Sequence, residues 1–504
     1  MRDRIDVGAV ELASGFFLLR QPGTFRKPFP RSAGDPGAPH RHCFSYPGTQ
    51  SSIKDELLAM IRNARRKVFI ASFRIGDADL LQALYDAADR LQGGVYVVTA
   101  LDDKSLARGL EDVDSDDAAD IQAQKKCFME MTQRGIYVRG HSACHAKFVI
   151  VDDTVALVSS ANLETSAFTK TVESGVVLAE QEQVRRLAKF FQRLWQEGCE
   201  WEVPPGEAYT VQRRSPDGTA HAIDGCAQRP GVMWTDGKEH LILDAIHDII
   251  GHARRTLVLS TFSLRGLTES PQILVEPVAD AIRRGVHVAL LTRPRNNLAG
   301  HRRDAQSLAE LGVTVLGDTQ NHAKCAIADG NVGAVFSANF DTEHGLISGV
   351  EMGARLDGSS ALRDVCAFFT HLVENADCAF AARPQQRDMN EMLYGRWHKP
   401  WPFSGELAVV ADDRSWNAFG LVVECGPVLY SCRAPEYMSI YAAGGRWQLQ
   451  PMDGEARYMM SLVEPPSDRG TGDTLQLLDE WFAKSGGDEE ERGFCTAVIC
   501  RTAA

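Results

Sequence analysis

Two segments of this 504-residue chain carry the same five polar residue types at the same spacing. They read HAKFVIVDDTVALVSSAN and HAKCAIADGNVGAVFSAN. The shared positions are His145, Lys147, Asp152, Ser160 and Asn162 in the first copy, and His322, Lys324, Asp329, Ser337 and Asn339 in the second. With each residue type at roughly one in twenty, one such pattern would arise by chance on the order of once in ten thousand chains of this length. Two copies therefore indicate a functional repeat.

These residue types could together cleave a phosphodiester. An imidazole can attack phosphorus or move a proton near neutral pH. Lys supplies positive charge, and Ser and Asn supply hydrogen bonds to the non-bridging oxygens of a phosphate. An Asp can orient an imidazole and offset its charge. We therefore predict that the His, Lys and Asp of both copies are catalytic and that the Ser and Asn of both copies bind phosphate.

A β-hairpin must position each copy of the motif. Residues two apart project from the same face of a strand, so the His and Lys of each copy lie side by side. An apolar run follows each Lys and leads to a turn at Asp152-Asp153 or at Asp329-Gly330. A second apolar run then ends in Ser-x-Asn, which adds two hydrogen-bonding side chains to the same patch.

The pattern resembles the signature of the phospholipase D superfamily, His-x-Lys-x4-Asp-x6-Gly-Ser-x-Asn, which usually occurs twice per active site. Both copies depart from it at the Gly, where Ser159 and Phe336 stand. Phe336 would add bulk beside the phosphate pocket of the second copy, which favours His145 as the attacking residue. The family's downstream acidic residue has counterparts in Glu173 and Glu351, which act either in catalysis or only as hydrogen-bonding partners of the site.

The repeat extends well beyond the motif. The aligned pairs of segments are 63–73 with 252–262, 93–103 with 284–294, and 134–138 with 311–315. Apolar strands that alternate with amphipathic helices predict an α/β fold. The resemblance implies two phospholipase D-like α/β lobes related by a pseudo-twofold axis, with the two motifs facing each other.

The sequence predicts five segments in all. They are an N-terminal extension (1–50), lobe 1 (51–200), a connector (201–238), lobe 2 (239–384) and a small β-rich accessory domain of unknown role (385–504). The last is predicted from short apolar runs separated by Gly, Pro, Asp and Ser. Its Trp residues either fill a core or form a stacking or partner-binding surface, and they are Trp397, Trp401, Trp416 and Trp447.

A metal site is not predicted. His40, His42 and Cys43 offer ligand types in the run HRHC, but no partner cluster with suitable spacing follows them. The imidazole chemistry implied by the resemblance requires neither a metal nor a cofactor.

Composition limits the partners and the compartment. The net charge of −13 argues against tight nonspecific binding to polyanions, although a local positive cleft can exist in an acidic protein. The Arg-Arg pairs at 65–66 and 254–255 either line such a cleft or end helices in solvent. Twelve Cys without a Cys-x-x-Cys pair, no signal peptide and no apolar stretch of roughly 18 residues predict a cytoplasmic protein without a transmembrane segment.

The resemblance implies a metal-independent phosphodiesterase that works through a phosphohistidine. The motif wording is most similar to cytoplasmic bacterial nuclease-like members, some of which accompany DNA-modification or phage-defence systems. The main prediction is therefore a nuclease that cleaves DNA or RNA, with protein partners binding the C-terminal domain. Two alternatives stay open: a phospholipase D or phosphatidyltransferase acting on phospholipids, and a catalytically spent scaffold or binding subunit in which Phe336 blocks the pocket. The sequence does not indicate the oligomeric state.

Overall fold

The computed structural model describes residues 15–19, 29, 38–49, 51–101, 127–203, 211–215, 223–295 and 298–383, and the backbone of six strands between residues 407 and 500. The described residues form two compact units. The larger unit lies within residues 27–292 and 320–375, and the smaller within residues 1–26, 293–319 and 376–504. Both copies of the motif belong to the larger unit.

The first sheet of the larger unit carries the first motif. Its described strands lie in the order Gln212–Arg213, Trp201–Glu202, Tyr137–His141, Val95–Ala100, Val68–Ser72, Phe148–Val151, Val155–Ser159, Glu173–Leu178 and His40–Ser45. Val68–Ser72 pairs in parallel with Val95–Ala100 and antiparallel with Phe148–Val151, so the motif hairpin extends a short parallel core. The central strands are buried along their whole length, because helices pack on both faces.

Amphipathic helices cover this sheet. They are Ser52–Asn63, Ala78–Arg90, Thr165–Thr169 and Gln181–Arg193, with a π-helical turn at Leu194–Gly198. The first helix begins where the Ser51 hydroxyl accepts the N–H of Lys54 (3.3 Å), and the second where Asp77 accepts the N–H of Leu80 (3.2 Å). Local capping chemistry thus fixes both starting points.

The second motif lies in a sheet of the same design. Within the larger unit its strands lie in the order His287–Thr292, Thr256–Ser260, Cys325–Ala328, Val332–Phe336, Glu351–Arg355 and Gly231–Thr235. A short parallel pair, Leu264–Arg265 with Phe340–Asp341, lies outside it. The helical segments are Leu241–His252, Pro271–Ile273, Val275–Arg283, His344–Ser348 and Ser360–Glu374. None of the helices that the structure describes is long and apolar enough to cross a bilayer.

The two sheets are related by a pseudo-twofold axis. Helix Gln181–Arg193 of the first half packs on the first strand of the second half, with the rings of Phe190 and Trp234 5.2 Å apart. Helix Ser360–Glu374 of the second half packs on the first strand of the first half, with the rings of Phe368 and Phe44 5.3 Å apart. The predicted fold, two α/β lobes with pseudo-twofold symmetry, is confirmed.

Both halves begin with a strand that the sequence pattern did not indicate. His40–Ser45 pairs with Glu173–Leu178, and Gly231–Thr235 pairs with Glu351–Arg355. Within HRHC, His42 Nε2 lies 3.1 Å from the Ser174 hydroxyl and His40 Nε2 lies 3.6 Å from Glu180. The predicted extension and connector therefore each contribute an edge strand, and the predicted domain boundaries stay predictions.

The smaller unit contains a three-stranded antiparallel arrangement and a separate sheet. Phe16–Leu19 pairs with Cys378–Ala381, which pairs with Thr314–Gly317, and Ala299–Glu310 is helical. The six strands of the C-terminal sheet lie in the order Leu407–Val410, Cys495–Cys500, Arg457–Glu464, Gly445–Met452, Ser439–Ala442 and Leu429–Tyr430. The described part of the chain after residue 406 is thus β-structure, as predicted. Trp397, Trp401 and Trp416 lie outside the described residues.

Candidate active site

Two antiparallel hairpins carry the motif residues, as the sequence predicts. In each, the His and Lys come directly before the first strand, and the Ser and Asn come directly after the second. The turns adopt the left-handed backbone conformation that tight hairpins require, with φ of 55° at Asp152, 58° at Asp153, 52° at Asp329 and 71° at Gly330. Asp and Gly tolerate this conformation, which explains their place in the pattern.

The motif aspartates hold these turns against the neighbouring strand. The Asp152 carboxylate accepts the backbone N–H groups of Arg65 (2.7 Å), Arg66 (2.7 Å) and Lys67 (3.0 Å). The Asp329 carboxylate accepts those of three consecutive residues in the same way, at 2.8, 2.9 and 2.8 Å from Arg254, Arg255 and Thr256. Burial alone would raise the pKa of each carboxyl, but these backbone hydrogen bonds lower it.

The expectation that the aspartates orient the imidazoles is therefore wrong. Asp152 lies at the far end of strand Phe148–Val151 from Lys147, and its oxygens are bound to backbone N–H groups. The Arg-Arg pairs also lie at this turn end, with the exposed side chains of Arg65 and Arg66 following helix Ser52–Asn63. Of the two interpretations of these pairs, the solvated helix end fits the structure.

Each imidazole is instead held by a glutamate of the opposite half. His145 Nδ1 lies 2.7 Å from Glu351, and His322 Nδ1 lies 2.8 Å from Glu173. Both glutamates are buried, whereas the side chains of His145 and His322 retain 27% and 17% exposure. A carboxylate can only accept a hydrogen bond, so the ring proton lies on Nδ1 and Nε2 is left to react.

The backbone crosses between the halves at the same points. The His145 N–H donates to the carbonyl of Val350 (2.9 Å), and the His322 N–H donates to the carbonyl of Val172 (2.9 Å). Each of these valines directly precedes a glutamate of the crossed pair. The main chain thus sets the position of each ring relative to its carboxylate.

The motif serines hold the glutamates. Ser160 donates its hydroxyl proton to Glu173 and accepts the N–H of Ser174 (3.1 Å). Ser337 donates to Glu351 and accepts the N–H of Met352 (3.0 Å). These contacts place both serines behind the carboxylates, and their binding of phosphate stays a prediction.

The motif asparagines follow the second strand of each hairpin. Asn162 Nδ2 donates to Glu164 at 3.3 Å. Among the described residues, the side-chain oxygens of Asn162 and Asn339 are buried and accept no hydrogen bond. Their phosphate-binding role also stays a prediction.

A buried lysine and an aromatic ring accompany each imidazole. Lys147 and Lys324 are fully buried, and each donates to the main-chain carbonyl of its own motif His. The Phe73 ring lies 5.3 Å from that of His145, and the Phe262 ring lies 4.9 Å from that of His322. Each lysine ammonium is 5.8 Å from the same phenylalanine. Sequence reasoning assigned no role to these two rings, although they occupy equivalent positions in the aligned repeat.

The residues at the usual Gly position point into the core. Phe336 is buried, with its ring 6.2 Å from that of Phe340, and it pairs across the sheet with Gly353. A side chain at Gly353 would come within 2.8 Å of the Phe336 Cβ, so the glycine on the facing strand leaves the space that Phe336 needs. Ser159 faces Gly175 in the same way. The Phe336 side chain, expected beside the phosphate pocket, thus packs in the core.

Burial sets the protonation of the site. It lowers the pKa of His145, and it lowers the pKa of His322 to about 4. It also lowers the pKa of Lys147 to about 8. Although burial would raise it, the pKa of Glu173 falls to about 2, through the charge and hydrogen bond of His322 and the charge of Lys324. Burial therefore favours the neutral form of both rings, and near neutral pH Lys147 and Glu173 are charged.

This arrangement provides two reactive Nε2 atoms, two buried ammonium groups and two fixed carboxylates. A neutral imidazole can attack an electrophilic phosphorus, and a second imidazole can exchange a proton with the leaving or entering oxygen. Buried cations stabilise the negative charge on the oxygens of a pentavalent phosphorus. Phosphodiester cleavage is the chemistry that this set of groups suits.

Comparison with known proteins identifies one matching family and several partial relatives. The family model described as "Cardiolipin synthase, PLD-like domain" matches residues 57–195 and 246–373, which together make up just over half of the chain. The relatives include cardiolipin synthase 1 of Bacillus cereus, 28% identical over 166 residues. That match covers 32% of this chain and 30% of the relative, so the chain spans about a third of the length of the curated relatives.

Two solved structures with a related fold are a phosphatidylserine synthase and a phospholipase D family member. Phosphatidylserine synthase of Haemophilus influenzae is 12% identical, with a TM-score of 0.48, and the match covers 69% of this chain and 90% of that one. Nuc, a phospholipase D family member from Salmonella typhimurium, is 22% identical, with a TM-score of 0.26, and the match covers 32% of this chain and 96% of that one. The family model and the duplicated motif agree, and the chain belongs to the phospholipase D superfamily of phosphodiester-cleaving enzymes.

Proposed function

We propose that this protein transfers phosphatidyl groups between phospholipid alcohols through a covalent phosphohistidine. The observation that carries the chemistry is the crossed arrangement in which each motif imidazole is held through Nδ1 by a glutamate of the opposite half. With Nδ1 held, a ring whose Nε2 is free is a nucleophile and a ring whose Nε2 carries a proton is a general acid, so the two rings provide both.

The first step forms the covalent intermediate. The Nε2 lone pair of one imidazole attacks phosphorus, and the bond from phosphorus to the leaving oxygen breaks. Its electron pair goes to that oxygen, which takes a proton from Nε2 of the other imidazole. Lys147 and Lys324 offset the charge that develops on the non-bridging oxygens.

The second step reverses these roles. The imidazole that gave up its proton accepts one from an incoming hydroxyl group, whose oxygen attacks phosphorus. The bond between phosphorus and nitrogen breaks, and the electron pair returns to the first imidazole. An alcohol gives transfer and water gives hydrolysis. The lysines supply the positive charge, so we expect both steps to proceed in EDTA.

The substrate class is supported by the names of the curated relatives. They are cardiolipin synthases, although the match spans only about 30% of their length. A nuclease substrate, DNA binding and a part in phage defence gain no such support and stay predictions. The cytoplasmic location and the protein partners of the C-terminal domain also stay predictions.

The experiment presents the purified protein with vesicles of phosphatidylglycerol and phosphatidylcholine in EDTA, and mass spectrometry follows the lipid products. We expect cardiolipin and glycerol to form from phosphatidylglycerol. Either His145→Ala or His322→Ala should lower turnover by several orders of magnitude, because each removes a reacting group. His252→Ala changes an exposed histidine on a helix end and is the matched control.

The same preparation is incubated with labelled single- and double-stranded DNA and RNA. Cleavage of nucleic acid without any change in the lipids would replace the phospholipid proposal with the nuclease prediction. Phosphatidic acid in place of cardiolipin would mean hydrolysis instead of transfer. A wild-type protein inactive on every phosphodiester would favour the spent scaffold.

A further inference from the structure

The two glutamates of the crossed pairs are held differently. Glu173 Oε1 accepts the His322 ring proton at 2.8 Å and also the hydroxyl proton of Thr171 at 2.9 Å. The equivalent of Thr171 before Glu351 is Gly349, which has no side chain to donate. The hydroxyl of Thr171 therefore distinguishes two half-sites whose motif His, Lys, Ser and Asn, partner Glu and nearby Phe are the same.

We propose that Thr171 makes His322 the nucleophile and leaves His145 as the general acid of the first step. This assignment rests on the proposed phosphohistidine chemistry and reverses the preference for His145 drawn from the sequence. Thr171 is a positioning residue, because it acts through Glu173 and not on the substrate.

The physical basis is the basicity of the carboxylate. A hydrogen bond donated to a carboxylate oxygen withdraws electron density from it, so that oxygen attracts the imidazole proton less strongly. His322 therefore has the lower proton affinity and stays neutral, as attack on phosphorus requires. Glu351 keeps more negative charge on the oxygen that faces His145, which favours the protonated ring that a general acid needs.

The charged groups around the two rings are otherwise matched. His322 faces Glu173, Lys324 and Lys147, and His145 faces Glu351, Lys147 and Lys324. The lowered pKa of His322, about 4 through burial, agrees with the neutral form of that ring. The His322 side chain is also the less exposed of the two, at 17% against 27%.

The covalent intermediate makes a second demand that Glu173 meets. Once Nε2 carries phosphorus and Nδ1 carries its proton, the ring is a cation for as long as the intermediate lasts. Its partner carboxylate must then stay ionised. Hydrogen bonds from Thr171 and Ser160, together with the nearby Lys324, hold Glu173 in that form.

In the assigned first step, His322 Nε2 attacks phosphorus, the bond to the leaving oxygen breaks, and that oxygen receives the proton of His145 Nε2. In the second step, His145 Nε2 takes the proton of the entering hydroxyl, the new bond from oxygen to phosphorus forms, and the electron pair of the phosphorus–nitrogen bond returns to His322. Protons and electron pairs balance over the cycle.

The test uses a phosphodiester with a p-nitrophenol leaving group, which departs without a general acid. His145→Ala should release about one equivalent of p-nitrophenolate in a burst and then stall. His322→Ala should give no burst. In wild type quenched with alkaline denaturant, which preserves the phosphorus–nitrogen bond, the phosphorylated peptide should be the one that contains His322, a measurement that depends on no variant folding.

The role of Thr171 is tested by the pH profile of kcat/KM. Thr171→Val keeps the shape of the side chain and removes the hydroxyl, so the acidic limb should move up by roughly half a pH unit. Thr169→Val is the matched control, because Thr169 donates to the main-chain carbonyl of Thr165 and should leave the limb in place. If Thr171 only stabilised the fold, its replacement would leave the acidic limb of the pH profile unchanged.

The outcomes are distinct. A burst from His322→Ala, or a phosphorylated peptide that contains His145, would overturn the assignment and leave the proposed chemistry standing. An unchanged acidic limb in Thr171→Val would show that Thr171 does not determine which histidine attacks. A wild type that releases no p-nitrophenolate and forms no phosphohistidine would overturn the proposed function and the assignment together.

Discussion

The first and second half-sites share their motif His, Lys, Ser and Asn and a partner Glu, yet their carboxylates are not equivalent. Glu173 accepts hydroxyl protons from Ser160 and Thr171, whereas Glu351 accepts one from Ser337 and follows Gly349. A symmetric site offers a phosphodiester two identical imidazoles, but the reaction needs one to attack and one to donate a proton. In the proposed assignment, the Thr171 hydroxyl on Glu173 separates these roles.

Replacement of either glutamate should have the largest effect on turnover. Glu173→Gln and Glu351→Gln keep the shape but remove the charge that fixes the Nδ1 proton, so each should lower kcat by roughly 10²–10⁴-fold. Steady-state kinetics on a phosphodiester measures the loss, with Glu180→Gln, a half-exposed glutamate beside His40, as a control outside the crossed pairs. Equal, small losses would show that the carboxylates do not set the state of the rings.

The lysines come next. Lys147→Met and Lys324→Met each remove a buried cation from the phosphate and should lower kcat/KM by roughly 10²–10³-fold. In the wild type, Lys147 has a pKa of about 8, lowered by burial, so it is charged below that pH and loses its charge above it. The kcat/KM should therefore fall as pH rises through about 8. Lys147→Arg should move that limb to higher pH, and an unmoved limb would assign it to another group.

Phe336 should matter for stability and not for access to the site. Phe336→Ala leaves a cavity in the core and should lower the free energy of unfolding by about 3–5 kcal/mol. A chemical denaturation curve measures this, and turnover of the folded fraction should stay within a few-fold of wild type. Higher activity in this variant would revive the interpretation in which Phe336 blocks the pocket.

The motif aspartates should show the smallest effect on turnover. Asp152→Asn weakens hydrogen bonds at a partly exposed turn that water can reach, so the free energy of unfolding should fall by roughly 1 kcal/mol. The folded-state pKa is lowered, so the contribution is present above the unfolded pKa of about 3.9 and is lost as pH falls through the folded value. Denaturation curves at pH 7 and pH 3 measure it. A large loss of turnover at unchanged stability would contradict the anchoring role.

The sequence predicted the hairpins, the α/β lobes and the side-by-side His and Lys, because these follow from local spacing and from the repeat. It misassigned Asp152 and Asp329, because the backbone groups that they bind lie 85 to 87 and 73 to 75 positions away. The crossed pairs join residues 206 and 149 positions apart. Their geometry depends on how the halves associate, which no local pattern encodes. The edge strand His40–Ser45 was missed because it carries polar residues instead of a clear alternation.

The exchange of carboxylates between the halves constrains how the two copies can evolve. A duplicated gene normally leaves one copy free to drift, but here neither copy possesses a complete set of reacting and orienting groups. A substitution at Glu351 removes the hydrogen-bond partner of His145, and one at Glu173 removes that of His322. Selection must therefore act on both halves as one heritable unit. Thr171 in one copy and Gly349 at the equivalent position of the other show that the copies can still differ next to the exchanged carboxylates.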